Sequence, residues 1–351
     1  MILAVWAPFL VPFLAAPAAR LLADALPPRA AAWVLGATGV LLAGASAASL
    51  GLLVAGGLLR IPAVAALGHL SVPWLADASP TTVVLATLAA VALVVTGALT
   101  LRTAHQQYSD LRRARAALGL DPTRTVEPEW RRPLTLLRRA AAAVGLPTAG
   151  PGRPAPGHPL AVLDDDRADA YALPGRPGRI VVTAGMLRAL PAPERAALLA
   201  HERAHLTSRH HLFLAAAEYT AVLHPALRQL RTPLGFHLER WADEDAARSV
   251  GDRAVTARAV GRAALAAAKA PRRDRPLLAP AAATGPVPRR VAALLSPHRG
   301  TPPDSVGRRR RTVAALALTA CLAVSAAATA DATRDLHHAV ESAQLQGDQE
   351  H

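Results

Sequence analysis

Four long stretches of the chain are apolar and lie between charged residues. They run over Met1–Ala19, Ala30–Leu59, Thr81–Leu101 and Thr312–Ala330. About 20 apolar residues are enough for an α-helix to cross the hydrocarbon core of a bilayer. A buried helix of a soluble protein is the alternative for any one stretch, but four such runs with charged flanks favour membrane spans. The pattern therefore predicts a mainly α-helical protein with four spans.

The first apolar stretch has no charged residue before Arg20. It lacks the basic leading region of a cleavable signal peptide, so we interpret it as a retained span. Pro8, Pro12 and Pro17 lie inside it. Since proline removes a helical hydrogen bond, these residues predict a kinked helix.

Positive charge near the ends of the spans predicts their orientation, because cytoplasmic loops are enriched in Lys and Arg. The charges concerned are Arg20 and Arg29 after the first span, the arginines from Arg102 to Arg115 after the third, and Arg308–Arg311 before the fourth. All three groups would face the cytoplasm. The loop Arg60–Pro80 and the acidic C-terminal stretch would face outward.

The resulting organisation has four parts. Residues 1–101 form three transmembrane helices, and residues 102–311 form a cytoplasm-facing domain with Pro/Arg-rich loops. Residues 312–330 form the fourth helix, and residues 331–351 form a short acidic extracytoplasmic tail. The domain is strongly basic, with 35 of the 39 Lys+Arg residues and 18 of the 25 Asp+Glu residues, a net charge of +17.

A basic domain can bind nucleic acid, but no helix-turn-helix, zinc-finger or aromatic RNA-binding pattern accompanies the charge. Attraction to anionic headgroups of a lipid bilayer accounts for the same charge. We therefore expect a lipid bilayer as a partner and no direct binding of nucleic acid. The single cysteine, Cys321, excludes an internal disulfide, and in its apolar run it is interpreted as a small buried hydrophobe.

The domain mixes helical and strand patterns. Residues 101–146 are amphipathic, 147–159 form a Pro/Gly linker, and a short helix is predicted near Val287–Leu295 within a Pro/Arg-rich loop. Short strands are predicted at Ala161–Leu163, Tyr171–Leu173 and Ile180–Thr183, the last with the strongest β-branched pattern. The run Asp164–Asp166 lacks the spacing of a calcium loop, so a solvated turn is favoured over a metal site.

The strongest chemical pattern is HExxH at residues 201–205, followed by ExxAD at 239–243. Residues four apart share one face of a helix, so His201 and His205 can bind one ion. Glu202 lies where it could accept a proton from water at that ion. Glu239 would supply a third ligand from a second helix, and Asp243, one turn on, could orient a ligand imidazole.

HExxH is short, and chance would produce it in roughly a few chains per hundred of this length. Its flanks strengthen it, because Pro191 and Pro193 precede a run of helix formers with Glu194 in the first turn. An exposed His/Glu helix face without a metal is the alternative.

Together these motifs resemble the integral-membrane gluzincins. That group includes the HtpX-like and CAAX-prenyl-type endopeptidases (metallopeptidase family 48) and the BlaR-type antirepressor peptidases (family 56). The preceding Ala170–Gly175 and Arg179–Leu187 are similar to the family's strand–turn–strand segment. Ala204 departs from the glycine usual in HtpX-like members, and Arg209–His211 looks more like the antirepressor branch.

The resemblance implies an inserted zincin-like α+β protease domain that holds one Zn²⁺ per chain through His201, His205 and Glu239. Glu202 would be the catalytic base, and Asp243 would support a ligand. The implied activity is hydrolysis of peptide bonds in a protein or peptide substrate by metal-activated water, at a bacterial cell membrane. The resemblance also implies that Ile180–Thr183 is an edge strand beside the metal helix, which could bind a peptide by β-addition.

Two other functions remain open. The first is a signal-transducing regulator that inactivates a repressor substrate by proteolysis, although the chain ends about twenty residues after the fourth span, too soon for the extracellular sensor domain of BlaR-type relatives. The second is a non-catalytic metal-binding scaffold.

Several further residues have open roles. His210 and His211 follow His205 at offsets that turn them away from the ligand face of a continuous helix, so an ordinary polar helix end is favoured for both. His224, His237 and Arg248 are undecided candidates for stabilising an oxyanion, each more simply explained as structural.

Overall fold

The computed structural model describes residues 2–61, 64, 80–118, 160–175, 178–269, 286–296 and 305–349. Of these described residues, 84% are helical, and they include four candidate membrane helices and a small sheet of three strands. The prediction of a mainly α-helical protein with four candidate membrane helices and an inserted α+β domain is confirmed.

The chain divides into two compact units. The helical unit comprises Met1–Thr103, Ala216–Pro233 and Pro303–His351, and the sheet unit comprises Ala104–Ala215 and Leu234–Pro302. In chain order the elements are α1 (Ile2–Ala23), α2 (Pro28–Leu58), α3 (Pro80–Ala117), β1 (Leu160–Leu163), β2 (Ala170–Leu173), β3 (Arg179–Thr183), α4 (Ala184–Ala189), α5 (Ala192–Thr207), α6 (His210–Leu223), a 3₁₀ helix (Pro225–Leu230), α7 (Arg231–Val250), α8 (Arg253–Ala268), α9 (Val287–Leu295) and α10 (Ser305–Gln349).

All four predicted apolar stretches are helical. The segments long and apolar enough to cross a membrane are Trp6–Ala23, Pro28–Leu58, Thr81–Ala117 and Gly307–Ser342. The helices α3 and α10 continue well beyond the apolar stretches that predicted them. Side chains such as Leu14, Val94 and Leu316 are more than half exposed, as expected of helix faces that lipid would cover.

One proline of α1, Pro12, frees a backbone carbonyl for which the helical unit supplies a donor. Pro12 has no N–H, so the carbonyl of Pro8 one turn earlier loses its helical donor. The Ser46 hydroxyl of α2 lies 2.8 Å from that carbonyl and 2.9 Å from the Leu42 carbonyl of its own helix, so its one proton is shared between the two acceptors. The ring Nε2 of His224 lies 3.1 Å from the next carbonyl, that of Phe9. Because a buried carbonyl without a donor is unfavourable, these contacts stabilise a helix that contains three prolines.

The sheet has the order β1-β3-β2, with β1 parallel and β2 antiparallel to β3. The central strand is therefore β3, hydrogen-bonded on both sides. The expectation that Ile180–Thr183 is an edge strand is wrong, and β-addition to it is excluded because both its edges are already paired. Ile180, Val181 and Val182 of this strand are β-branched and buried, in keeping with its central place in the sheet.

Both faces of the sheet are covered within the sheet unit. Ala172 and Ile180 on one face pack with Leu199 and Leu206 of α5. On the other face, a cluster of strand residues packs against the end of α3; it comprises Tyr171, Leu173 and Val181 with Leu111, Ala114 and Leu118. Successive strand residues point to opposite faces, so alternate residues pack against α3 and against α5. The apolar contacts on one face hold α5 against the sheet.

Local signals explain the boundaries of the helices around the sheet. The helix α4 is capped by the Thr183 hydroxyl, which accepts from the Met186 N–H. At Gly185 a Cβ atom would lie 2.0 Å from the Asp166 carbonyl oxygen, so only glycine fits there. The Asp252 carboxylate caps α8 through the N–H groups of Ala254 and Val255.

The predicted short helix at Val287–Leu295 is confirmed as α9. Within the predicted amphipathic segment 101–146, residues up to Ala117 are helical, and residues from 119 onward lie outside the described ones. The Pro/Gly linker 147–159 and most of the loop Arg60–Pro80 also lie outside them.

Candidate metal centre

The helix α5 places both imidazoles of the HExxH motif on one buried face. Pro191 and Pro193 begin this helix, and Glu194 stands in its first turn. The Nε2 atoms of His201 and His205 lie 3.0 Å apart, and each side chain is 1% exposed. Glu202, between them in sequence, is fully buried. The i, i+4 spacing therefore brings the two rings together as the helical pattern predicts.

The carboxylate of Glu239 reaches the same point from α7. Its Oε2 atom lies 3.5 Å from Nε2 of His201, and its Oε1 atom lies 3.5 Å from Nε2 of His205. One ligand atom from each of the three residues falls within 4.8 Å of the others. Within the described ranges this is the one group of three or more such side chains with that geometry.

The chemistry of the group fits a divalent ion. Two imidazole nitrogens and one carboxylate converge on a single point. This set of ligands is common for Zn²⁺ in catalytic sites. Charge supports the same conclusion, because three buried carboxyl groups (Glu202, Glu239 and Asp243) are close to one guanidinium, Arg290. With the imidazoles neutral, as metal ligands are, three carboxyl groups beside one guanidinium can supply two negative charges in excess, which a divalent cation neutralises.

Asp243 lies behind His201, as the motif predicts. Its Oδ1 atom is 3.0 Å from Nδ1 of His201, the ring nitrogen that does not face Glu239. A carboxylate at this position fixes the tautomer and the orientation of the imidazole, so that Nε2 is presented to an ion.

Arg290 is the charged residue of this site that the sequence reasoning missed. It is fully buried, and its Nε and Nη2 atoms donate to Asp243 at 2.8 and 2.6 Å. Its Nη1 atom lies 2.9 Å from Oε2 of Glu239. A signal was present in α9, where Arg290 falls on the same helical stripe as Val287, Val291 and Leu294. An arginine on an apolar stripe indicates a buried partner.

His210 was also misjudged. The offset argument assumed a continuous helix, but α5 ends at Thr207, Arg209 has a positive φ of 52°, and α6 begins at His210. This reversal returns the His210 ring to the site, with its Nδ1 atom 2.7 Å from Nδ1 of His205. His210 is fully buried, and its ring packs at a tilt against Trp241 with the centroids 4.7 Å apart, so the expectation of an ordinary polar helix end is wrong for it.

The protonation of the site follows from its burial and its charges. Burial alone would lower the pKa of His201, but the carboxylates of Asp243 and Glu239 outweigh it and raise that pKa to about 9. Burial and the neighbouring His201 lower the pKa of His205 well below its ordinary value. Burial also lowers the pKa of His210, to about 3. Burial would raise the pKa of Asp243, but Arg290 and His201 lower it to about 2.

The neutral state of His210 determines the direction of its hydrogen bond. When His205 presents Nε2 to an ion, its proton is on Nδ1 and is donated to the Nδ1 atom of His210. Each ligand imidazole is thus supported on its outer nitrogen, His201 by Asp243 and His205 by His210.

The structure places the remaining candidates in other roles. His224 uses both ring nitrogens, since Nδ1 accepts from the Ala226 N–H and Nε2 contacts Phe9. Arg248 is largely exposed and pairs with Asp245. Asp166 pairs with Arg188 and Asp165 with Arg167, as expected of a solvated turn. His237 is buried beside Phe236 on α7.

Comparison with known proteins supports a peptidase. Residues 136–232 match peptidase family M48, which supports a metallopeptidase of that family, the HtpX-like group. The match includes His201, Glu202, His205 and His210 and ends before Glu239. It does not confirm the resemblance to the BlaR-type family. No curated protein and no solved structure matches the chain.

Proposed function

From the metallopeptidase family match, we propose that this chain is a membrane-embedded, zinc-dependent endopeptidase. One observation carries the proposal: two imidazoles of α5 and a carboxylate of α7 converge on one buried point, with the carboxylic acid Glu202 on the same helix as the imidazoles. His201, His205 and Glu239 are proposed as the ligands, Glu202 as the catalytic base, and Asp243 as the residue that orients His201.

Zinc is proposed because of the donor set. Two neutral nitrogen ligands and one carboxylate suit Zn²⁺ better than the oxygen-rich environments that Mg²⁺ and Ca²⁺ prefer. With three protein ligands, a tetrahedral ion retains one open position, which distinguishes a catalytic from a structural site.

A bound Zn²⁺ would polarise the scissile carbonyl and lower the pKa of a coordinated water. The protein side chains then supply proton transfer and orientation. Glu202 accepts the proton of the attacking water and returns it to the nitrogen of the leaving amine as the peptide bond breaks. Asp243 and His210 hold the two imidazoles in fixed tautomers while the charge at the centre changes.

The membrane setting rests on the four apolar helices and on the charge around them. The arginines Arg308–Arg311 are exposed at the start of α10, directly before an apolar segment. Arginine near the ends of a span favours the cytoplasmic side, so we propose that the sheet unit faces the cytoplasm of a bacterial cell. A protein or peptide close to the bilayer is the proposed substrate.

The test is the substitution Glu202→Gln in the full-length protein, purified in detergent. It removes the proton acceptor and keeps the shape of the side chain, so cleavage of a casein-type substrate should fall about 10²–10⁴-fold. The metal content, measured by mass spectrometry, should stay near one zinc per chain. Glu218→Gln is the matched control, since Glu218 pairs with Arg231 in the helical unit.

Two results would overturn the proposal. Undiminished cleavage by Glu202→Gln would remove Glu202 from the mechanism. Wild-type protein that neither binds a divalent ion nor loses cleavage in chelator would exclude metal-dependent hydrolysis altogether.

A further inference from the structure

The Arg290 guanidinium makes three contacts of 2.6–2.9 Å with the two carboxylates of the metal centre. Two of these contacts form a fork on Asp243, and the third nitrogen reaches Glu239. Arg290 comes from α9, 47 residues after Asp243, and it is among the largest fully buried side chains. One residue outside both sequence motifs therefore connects two members of the second motif.

The position of each contact defines what Arg290 can do. At Asp243 it binds the carboxylate whose Oδ1 atom also faces His201, so it fixes the group that orients a ligand. At Glu239 it binds Oε2, whereas Oε1 is the oxygen nearer to His205. The planar fork of arginine holds carboxylates in defined orientations, which the single ammonium of lysine does not.

Charge gives Arg290 a second effect. Carboxylates buried without a cation are unfavourable, and removing one partner of a buried ion pair leaves an uncompensated charge. Before an ion binds, Arg290 is a permanently charged, fully buried cation in contact with Glu239 and Asp243. After an ion binds, that ion shares the compensation. Arg290 should therefore matter more to the stability of the metal-free protein than to that of the metal-loaded protein.

We propose that Arg290 is a positioning residue that preforms the metal centre: it orients Glu239 and Asp243 and compensates their charge until an ion binds. The proposal rests on the metal-dependent function proposed above. A purely structural role, in which Arg290 only attaches α9 to α7, makes a different prediction, because loss of packing destabilises the metal-free and metal-loaded forms equally.

The experiment compares Arg290→Gln, Arg290→Lys and wild type as full-length proteins in detergent. The matched control is Arg289→Gln, because Arg289 is the preceding residue of the same helix, is exposed, and lies over the Phe236 ring. Three quantities are measured: the thermal midpoint with zinc and with chelator, kcat and KM at saturating zinc, and the visible absorption spectrum after substitution by Co²⁺.

For Arg290→Gln we expect the midpoint in chelator to fall by about 10 °C, with a clearly smaller fall in zinc, since an unpaired buried charge is strongly destabilising. At saturating zinc, kcat should fall about 10–100-fold with little change in KM. The Co²⁺ spectrum should change in shape or intensity. Arg289→Gln should resemble wild type in every measurement.

Arg290→Lys separates charge from geometry and remains informative if Arg290→Gln does not fold. Lysine keeps the positive charge, so the midpoint in chelator should be largely restored, whereas kcat and the Co²⁺ spectrum should remain altered because the fork is lost. A lysine variant with wild-type kcat and spectrum would overturn the positioning role.

Equal destabilisation of Arg290→Gln with and without zinc would overturn the charge-compensating role. Either result can be distinguished from a failure of the proposed metal-dependent function. If wild type binds zinc and cleaves substrate while the Arg290 variants show no selective effect, the inference alone is wrong. If wild type binds no divalent ion, the proposed function itself is wrong.

Discussion

The two units of this protein bury polar groups of opposite kinds. In the described part of the helical unit the buried polar side chains are hydroxyls and one imidazole: Thr38, Ser46, Ser49, Thr220, His224 and Ser325. In the described part of the sheet unit they include five carboxylates and an arginine: Asp169, Glu194, Glu202, Glu239, Asp243 and Arg290. In the first group, Ser46, Thr220 and His224 contact backbone carbonyls and N–H groups, whereas the metal centre is built from side chains whose charges compensate one another.

This difference follows from what each unit must satisfy. A proline-containing helix in lipid requires donors for the carbonyls that proline leaves unbonded, and a small neutral group supplies them at little desolvation cost. A centre for a divalent ion requires negative charge in a buried place, and each charge then requires a partner. Loss of a single polar side chain should therefore cost much more at the metal centre than in the helical unit.

The largest effect is expected for Glu239→Gln. The substitution removes the carboxylate ligand and keeps the volume of the side chain. Metal affinity should weaken by more than the roughly 10–100-fold that loss of an outer-sphere partner costs, and cleavage should be lost. Titration of the metal-free protein with zinc measures the affinity.

Glu244→Gln on the same helix is the control for this prediction. Glu244 pairs with Arg253, and that arginine outweighs burial and lowers the pKa of its carboxyl group. The Glu244→Gln variant should bind zinc with the affinity of wild type. Wild-type affinity in Glu239→Gln would show that the sheet unit tolerates loss of a buried charge, and the contrast between the units would fail.

An intermediate effect is expected for His210→Ala. The substitution removes the acceptor at the outer nitrogen of His205, so the ring is less well oriented and kcat/KM should fall about 10–100-fold with the fold retained. Steady-state cleavage assays measure the fall in kcat/KM, and circular dichroism checks that the fold is retained.

His211→Ala tests whether position rather than residue type matters. His211 is adjacent in sequence and only half-buried, so its removal should leave kcat/KM near wild type. Equal losses for the two substitutions would mean that His210 supports α6 in general and not His205 in particular.

The smallest effect is expected for Ser46→Ala in the helical unit. It removes the donor to the Pro8 carbonyl, and one neutral hydrogen bond contributes about 0.5–1.5 kcal/mol to the free energy of unfolding. Ser49→Ala on the same helix is the control, because the Ser49 hydroxyl has no hydrogen-bond partner among the described residues. Unfolding in denaturing detergent should give Ser46→Ala a lower free energy of unfolding than Ser49→Ala. Cleavage should be unchanged in both variants.

The sequence by itself determined whatever depends on local periodicity. Four runs of apolar residues predicted the candidate spans, an i, i+4 pair predicted the shared face of His201 and His205, and a short helix was predicted within the Pro/Arg-rich loop where α9 lies. These features arise within one or a few turns of chain, so composition and spacing are sufficient to predict them.

Tertiary structure alone decided the rest. The central place of β3 depends on which strands pair across the chain, and its apolar pattern suits a central or an edge strand. The return of His210 depends on where α5 ends, and the place of Arg290 depends on α9 packing against α8, which brings Arg290 to Asp243, 47 residues earlier in the chain. A buried charge is stable only beside its partner, and the partner is chosen by packing between distant segments, which no local pattern records.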